Sequence, residues 1–589
     1  MSISALKNEK EFAWPSMTAP MDIRSQPDQV TWGHWRFVLN SRAVEKGKAC
    51  RREGWRRFGY QTGHPNSDLH DQHGGTGRIR TIYSHKNPTR TNSGNRLYAG
   101  AETNLWESRS DGGWRNVGED LPMGGDWEFT SLNDIVIAAN SKRVLWHRPD
   151  IGVFTPIPSL AKIGLTGASV AWVFEGTLFL ADVVMDNSDV GHRVVWADLN
   201  SIEFEPTTDS IAGFRDLMAG ERILAAVPTG TSFTIFTTHG AWRQGVANGQ
   251  FVFQQLYFSK TRDACPIGKR AIVSNREIAY FIASDGIYAL APYSPAPEWS
   301  EWMNQGLPLG FIQDDRCVVT ASAYDPIRNE ILWSAATLGQ TYVVNLRQTS
   351  TSMIDHAFIA MTPADIDRGQ SIGMWWVASG ICSPAEIEVN YPVKPRDDPR
   401  IYPDAPATMT TDGCLPFDPP CDICDGVTEF VAVSAIDNAI KVFPDDFYAR
   451  EMRVGNAWVL EGYATRFVTG SLTFGIEAVK RVGKVAMNFT AGAADVPGGI
   501  RLIVGTSGSA VDPMADFKPA TFVMNLSTKK LVAPPTPIGD APNIQPLAWT
   551  FLADGRFVFF ELRIDAATGA AACFSTFTAH ITRSTNSPT

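Results

Sequence analysis

The 589-residue chain has no uncharged apolar run long enough to cross a bilayer as a helix. Its start, Met1 to Lys10, carries no apolar core of a secretory signal. Both absences predict a soluble protein made in a cytosol. A basic excess is also missing. Lys and Arg number 52 against 62 Asp and Glu, a net charge of -10, so tight binding to nucleic acid by counterion displacement is not expected. An acidic surface is still compatible with DNA that passes by without sticking. Helical periodicity is weak throughout. The 8 cysteines are scattered at 50, 265, 317, 382, 414, 421, 424 and 573. Most stand alone among apolar neighbours, as in Arg316-Cys317-Val318 and Ala572-Cys573-Phe574. That setting reads as buried reduced thiols and predicts no disulfide framework.

What the chain does have is packing material and a repeat. With 44% hydrophobic residues, 11% aromatic residues and 18 Trp, it is a globular protein rather than a disordered one. Its length calls for more than one compact unit. A polar turn, an apolar run, a second turn and an aromatic recur in order. The copies are Asn95 to Gly100 reaching Trp106, Asn133 to Ala138 reaching Trp146, and Glu175 to Leu180 reaching Trp196. They continue with Thr231 to Phe236 reaching Trp242, Asn275 to Phe281 reaching Tyr288, and Arg328 to Trp333 reaching Tyr342. Measured at Leu97, Ile135, Thr177, Phe233, Ile278 and Ile331, the steps are 38, 42, 56, 45 and 53 residues. Short strands at that spacing are what propeller blades produce, and one such unit cannot bury both its faces alone.

The reading is therefore all-β: a six- or seven-bladed β-propeller with a Pro-rich insertion and a C-terminal antiparallel β-sandwich. Residues 1–77 form an N-terminal arm, its first 27 residues without periodicity, followed by a closing strand at Val30 to Leu39. Residues 78–358 are blades. Residues 359–427 are too rich in proline for central strands and read as an extended surface insertion. Residues 428–455 restore the repeat as a last blade, and 456–589 give strands with Gly- and Pro-bearing turns that suggest the sandwich.

Few residue groups suggest chemistry. Cys421-Asp422-Ile423-Cys424 has the gap that zinc sites use, with Cys414 and Cys382 as further thiols, but a second close pair is missing and thiols pinning a loop explain it as well. His64, Asp68, His70, Asp71 and His73 match no established metal spacing and read as a solvated loop. Ser110-Asp111-Gly112-Gly113-Trp114 reads as a β-turn, and the adjacent pairs Asp397/Asp398 and Asp445/Asp446 as acidic loops rather than glycosidase acids. The basic stretch bearing Lys46, Lys48, Arg51, Arg52, Arg56 and Arg57 has two readings. It contacts DNA phosphates or an acidic neighbouring subunit, or its stems cover apolar strand surface. No catalytic residue, cofactor or metal is expected.

Several segments, taken in order, resemble the tail nozzle and packaged-DNA stabilisation proteins of short-tailed bacteriophages. They are Leu39-Asn40-Ser41-Arg42 with Arg51 to Trp55, Arg96 to Trp106, Val194 to Asp198 with Ile202 to Pro206, Ile223 to Val227 with Ile235 to Arg243, Tyr280 to Tyr288, and Ala323 to Glu330. Glu53 stands where that family usually has proline. The likeness runs over about residues 30 to 490. It implies a structural, non-enzymatic virion protein of the phage tail, assembled in the host cytoplasm as a homohexameric ring below the head-to-tail adaptor. Its implied partners are further copies of itself, the adaptor, tail fibres, and packaged DNA that passes without tight binding, with no membrane insertion. Two other readings stand beside it: a carbohydrate-binding or carbohydrate-cleaving propeller at a tail tip, and a cellular protein-interaction propeller.

Overall fold

The structure, a computed structural model, describes residues 10–58, 78–86, 95–108, 114–149, 151–312, 318–366, 427–444, 448–454, 457–474, 479–491, 500–507, 522–525, 544–564 and 572–583, with 31 and 46 excepted. Strands dominate the described residues, and the fold is all-β.

From residue 81 onward the chain lays down antiparallel four-stranded sheets in sequence order. The first comprises Thr81–His85, Arg96–Gly100, Leu105–Ser108 and Trp114–Gly118. The second comprises Glu128–Leu132, Ile135–Asn140, Arg143–Arg148 and Ile151–Pro156. The third, fourth, fifth and sixth open with Leu165–Phe174, Ile223–Thr229, Ile272–Ser274 and Ala321–Asp325, and follow the same plan. A seventh consists of Phe358–Ile366, Val427–Ser434, Ile440–Val442 and, from the other end of the chain, Arg56–Arg57. Each opening strand packs on the opening strand of the next sheet, and Phe358–Ile366 packs on Thr81–His85. The ring is closed, as in a β-propeller.

The repeated sequence unit maps onto one place in this plan. Its apolar run is the second strand of a sheet, and its aromatic lies on the third. The two meet directly across the ladder: Ala99 faces Trp106, Ile137 faces Trp146, Phe179 faces Trp196, Ile235 faces Trp242, Phe281 faces Tyr288 and Trp333 faces Tyr342. Cross-strand pairs of this kind are the unit of sheet stabilisation. The polar turns supply the backbone twist. Glu175-Gly176, Asp186-Asn187 and Asn248-Gly249 all have positive φ at both residues, the type I′ geometry that suits two-residue hairpins.

The core is divided into sectors, each filled from two successive sheets. Tyr98, Leu105 and Val117 of the first sheet pack with Phe129, Val136 and Leu145 of the second. Ile82, Leu97 and Trp106 of the first pack with Ala360, Val431 and Val433 of the seventh. No sheet buries both faces without its neighbours, which is why the repeats must close into a ring.

Apart from a separate hairpin of Arg450–Val454 and Ala457–Glu461, the remaining strands among the described residues form two larger sheets. One joins Lys480–Ala491, Ile544–Gly555 and Ala572–Arg583 to N-terminal strands Lys10–Ala13, Ser41–Glu45 and Lys48–Arg51. The other runs from the sixth sheet through Phe37–Leu39 into Thr465–Val468, Phe557–Ile564, Ile500–Ser507 and Phe522–Asn525. One apolar cluster, containing Val482, Val485, Phe574 and Phe577 with Phe467, Leu502, Phe560 and Leu562, holds side chains from both.

Several expectations change. The N-terminal arm is not featureless: Lys10–Ala13 pairs with Ala572–Arg583, and Trp14, Met17 and Met21 are buried. The strand expected over Val30 to Leu39 is confined to Phe37–Leu39, because Gly33 turns the backbone at φ 92°. It bridges the sixth sheet to Thr465–Val468 and does not close the ring; Arg56–Arg57 does that. Phe358–Ile366 is a strand, where an insertion from 359 was expected; it ends beside residues that are not described. Cys50 and Cys573, expected as separate reduced thiols, face each other across Lys48–Arg51 and Ala572–Arg583 and form a disulfide. Directly opposed residues of antiparallel strands lie close enough for this bond, and a sequence separation of 523 hides the pairing. Cys265 is a buried free thiol.

The segment entering the seventh sheet is fixed by a buried ion pair. Arg52 donates through Nη1 and Nη2 to Glu330 at 2.8 and 3.0 Å, and both side chains are almost wholly covered. Gly54 lies so close to the backbone that an added Cβ would sit 1.7 Å from the Ala449 carbonyl oxygen. Arg52→Met should destabilise the protein by roughly 3–5 kcal/mol, because it leaves the Glu330 carboxylate buried without its partner. The double variant Arg52→Met/Glu330→Leu should recover much of that loss. Urea midpoints of the single and double variants check this; equal midpoints for wild type and Arg52→Met would refute it.

Candidate functional site

The basic stretch is largely internal. Arg51 is 1% exposed, donates through Nη2 to the Tyr463 carbonyl at 2.7 Å, and lies over the Tyr463 ring at 4.6 Å. Arg52 is committed to Glu330. Arg57 pairs with Glu451 at 3.5 Å and lies 5.1 Å from the Trp458 ring. Arg56 is half-buried beside it, Lys48 is half-buried in its strand, and Lys46 lies outside the described residues. Arg51 and Arg52 therefore do not offer phosphate-binding surface. Their guanidinium groups tie the N-terminal segment to the sixth sheet and to the strands after the seventh. This corrects their reading as a DNA or subunit contact and favours the structural alternative.

A different charged group lies at one end of the ring, where the opening strands begin. Arg80, just before the first sheet, pairs with Glu102 at 2.7 Å and Asp126 at 3.9 Å. Arg270, just before the fifth, reaches Asp126 at 3.3 Å. Lys269 binds Glu128 of the second sheet at 2.7 Å and donates to the Ser169 carbonyl of the third at 2.6 Å. The second and fifth sheets are not neighbours in the ring. A direct bridge between them therefore runs across its middle, and the axis is crossed by side chains at this end. Composition gave no sign of this group. The signal, visible in retrospect, is a charged residue just before several opening strands.

Buried titratable side chains cluster between the first and second sheets. Glu107 accepts from Tyr98 Oη at 2.8 Å and from Arg115 Nε at 3.1 Å, and its Oε1 lies 3.5 Å from His147 Nε2. Ser131 Oγ sits 2.8 Å from His85 Nδ1 and 2.5 Å from Tyr83 Oη. Burial holds the His85 pKa down to about 4 and pushes that of Tyr83 up to about 12. An imidazole with so low a pKa is a weak base, and Ser131 Oγ is shared with Tyr83, so this is a packed seam between sheets rather than an activated nucleophile. In the closing region His356 is similar. It stacks against Trp55 at 4.6 Å, its Nε2 lies 3.1 Å from Ser434 Oγ, and burial lowers its pKa to about 3.

Among the described residues no group of three or more His, Cys, Asp and Glu is placed to hold a metal. The candidates Cys414, Cys421 and Cys424, with Cys382, lie outside the described residues. So do His64 to His73, Ser110 to Gly113, Asp397/Asp398 and Asp445/Asp446.

The outer strands of the second, third and fourth sheets present apolar side chains to solvent. Ile151 and Val153 lie on Ile151–Pro156, Phe214 on Gly213–Asp216, and Val252 and Phe258 on Gln250–Phe258; all are exposed, Ile151 by 64% and Phe214 by 59%. Each of these strands is the free edge of its sheet.

His85 and His356 set an acid limit on stability. Their folded pKa values lie below the usual value near 6.5, so the unfolded chain binds more protons between the two. Stability is complete above about pH 6.5 and is lost as pH falls towards 4 and 3, by about 3 kcal/mol for His85. Melting temperatures from pH 8 to 4 should fall on the acid side, and His356→Asn should flatten that fall. An unchanged acid slope in the variant would remove His356 as its source.

No known family model matches the chain, and no curated protein is similar to it in sequence. Solved structures resemble it only distantly. BBS1N in complex with ARL6DN is 12% identical with a TM-score of 0.34, over 63% of this chain and 93% of that one. The Cps50 (Swd1) β-propeller domain of Myceliophteria thermophila is 11% identical with a TM-score of 0.32, over 49% and 89%. The extracellular domain of a putative one-component system of B. thetaiotaomicron is 7% identical with a TM-score of 0.36, over 89% and 58%. At such values these likenesses carry no argument about activity.

Proposed function

We propose that this chain is a structural subunit of a bacteriophage tail nozzle. In this reading the closed ring is a seven-bladed propeller, the two larger sheets are a β-sandwich completed by N-terminal strands, and the protein is neither an enzyme nor a cofactor carrier. Copies stand side by side as a homohexamer in the virion tail, in contact with the adaptor and tail fibres, after assembly in the host cytoplasm. The observation that carries the proposal is the row of free, apolar outer edges on consecutive sheets. Exposed edge strands bearing Ile151, Val153, Phe214 and Val252 are surfaces that a solitary protein normally blunts and an assembled one covers. Heterologous contacts through such an edge close into a ring when the rotation allows it.

In this reading a channel for duplex DNA runs between subunits rather than through one of them, and the Lys269–Glu128 bridge across the middle of the ring supports that choice. The net charge of -10 suits a wall that releases phosphate.

Light scattering of the purified full chain, with negative-stain images, should show rings at micromolar concentration. Phe214→Glu together with Ile151→Lys should yield monomers with an unchanged melting temperature. Duplex DNA should bind only weakly at physiological salt. A wild-type chain that stays monomeric at all concentrations, or nanomolar DNA binding, would overturn the proposal.

A further inference from the structure

At the N-terminal edge of the larger sheets, three aromatic rings from distant parts of the chain wall one cavity. Phe12 comes from Lys10–Ala13, Trp32 from the loop before Phe37–Leu39, and Phe474 from the segment after Thr465–Val468. Trp32 stands 6.1 Å from Phe12 at 70° and 5.9 Å from Phe474 at 66°; Phe12 and Phe474 are 4.7 Å apart at 52°. Trp14 backs Trp32 at 5.0 Å. The cavity measures about 320 Å³ and is open to solvent, with Asp28, Ser471 and Thr473 among its lining residues.

Two backbone features bring these rings together. Phe474 adopts φ 52°, a left-handed conformation unusual for a bulky side chain. Gly33, at φ 92°, lets the Trp32 loop lie against Pro15, whose Cγ would be 2.4 Å from an added Cβ. Strain such as that at Phe474 persists where surrounding structure enforces it, and it gathers at binding sites.

The chemistry of the walls favours a cation. Aromatic faces carry partial negative charge, and Asp28 adds an exposed carboxylate at the rim. Elsewhere the chain covers such faces with its own cations: Arg450 lies over Trp55 at 4.7 Å, Lys441 over Trp458 at 4.5 Å and Arg193 over Phe214 at 4.5 Å. Among the described residues, no Lys or Arg is placed over Phe12, Trp32 or Phe474. The ring planes are steeply inclined to one another. Rings so inclined suit a compact head better than the flat face of a sugar, which stacks on a level platform.

We propose that Phe12, Trp32 and Phe474, with Asp28, form a binding site for an alkylated ammonium group. The group belongs to a free small molecule, for which a cavity of about 320 Å³ has room.

Isothermal titration of the full chain with choline tests this against 3,3-dimethylbutan-1-ol, which has the same shape without the charge. Choline should bind at least tenfold more tightly. Trp32→Ala should abolish the binding, Trp32→Phe should retain it, and Asp28→Asn should weaken it severalfold, each with wild-type melting behaviour. A trimethyl-lysine peptide and phosphatidylcholine vesicles test the source: tighter binding of either than of free choline would overturn a free small molecule as the ligand. Equal affinity for the neutral alcohol, preference for glucose, or no binding by wild type up to about 100 mM of any probe would overturn the site.

Discussion

The fold depends on closing its ring with a strand from the wrong end of the chain. Ile440–Val442 has its outer partner in Arg56–Arg57, and without it the seventh sheet would present an open edge at Ile440–Val442. That short pairing would be weak alone. It is held by Trp55, fully buried against His356, Phe358 and Phe443, by the Arg52–Glu330 pair, and by Gly54 lying against the Ala449 backbone. Arg450, spread over both Trp55 and Tyr463, completes the clasp. Arg51, Arg52 and Arg57, three of the basic residues considered as a nucleic-acid or subunit contact, thus help to fasten the ring.

The same N-terminal segment fastens a second junction. Phe37–Leu39 lies between Ser350–Ile354 and Thr465–Val468, so the sixth sheet continues without a break into the C-terminal strands. Lys48–Arg51 and Lys10–Ala13 both pair with Ala572–Arg583, and Cys50–Cys573 adds a covalent tie. A division into an arm, a propeller and a C-terminal unit describes the order of the sequence. It does not describe the order of the packing.

What could be read from the sequence was what is local. The apolar run and its following aromatic are joined by a hairpin, so Asn133 to Ala138 with Trp146, or Asn275 to Phe281 with Tyr288, shows in the sequence as a recurrence, while the facing pairs Ile137 with Trp146 and Phe281 with Tyr288 come from the structure. Turn pairs such as Asn248-Gly249 announce themselves by residue type. What stayed hidden depends on contacts between remote segments. Arg57 with Glu451, Cys50 with Cys573, Lys269 with Glu128 and the Phe12, Trp32 and Phe474 rings have no signature in any window of sequence. The two readings of the basic run stayed open for the same reason, because charge density is visible in a sequence while a buried partner is not.

The fastening strand also sets a clock on biogenesis. Arg57 waits for Glu451, which is synthesised 394 residues later, and Cys50 waits for a partner 523 residues away. At roughly 5–20 residues per second, the N-terminal strands are held unpaired for something like 20–100 s, while the sheets between them stack one by one as an open arc. During that interval the first and newest sheets each show a bare apolar face to the ribosome's surroundings. A chain built in this way needs its nascent ends shielded until translation is nearly complete, and a truncated product should fail as a whole rather than fold in part.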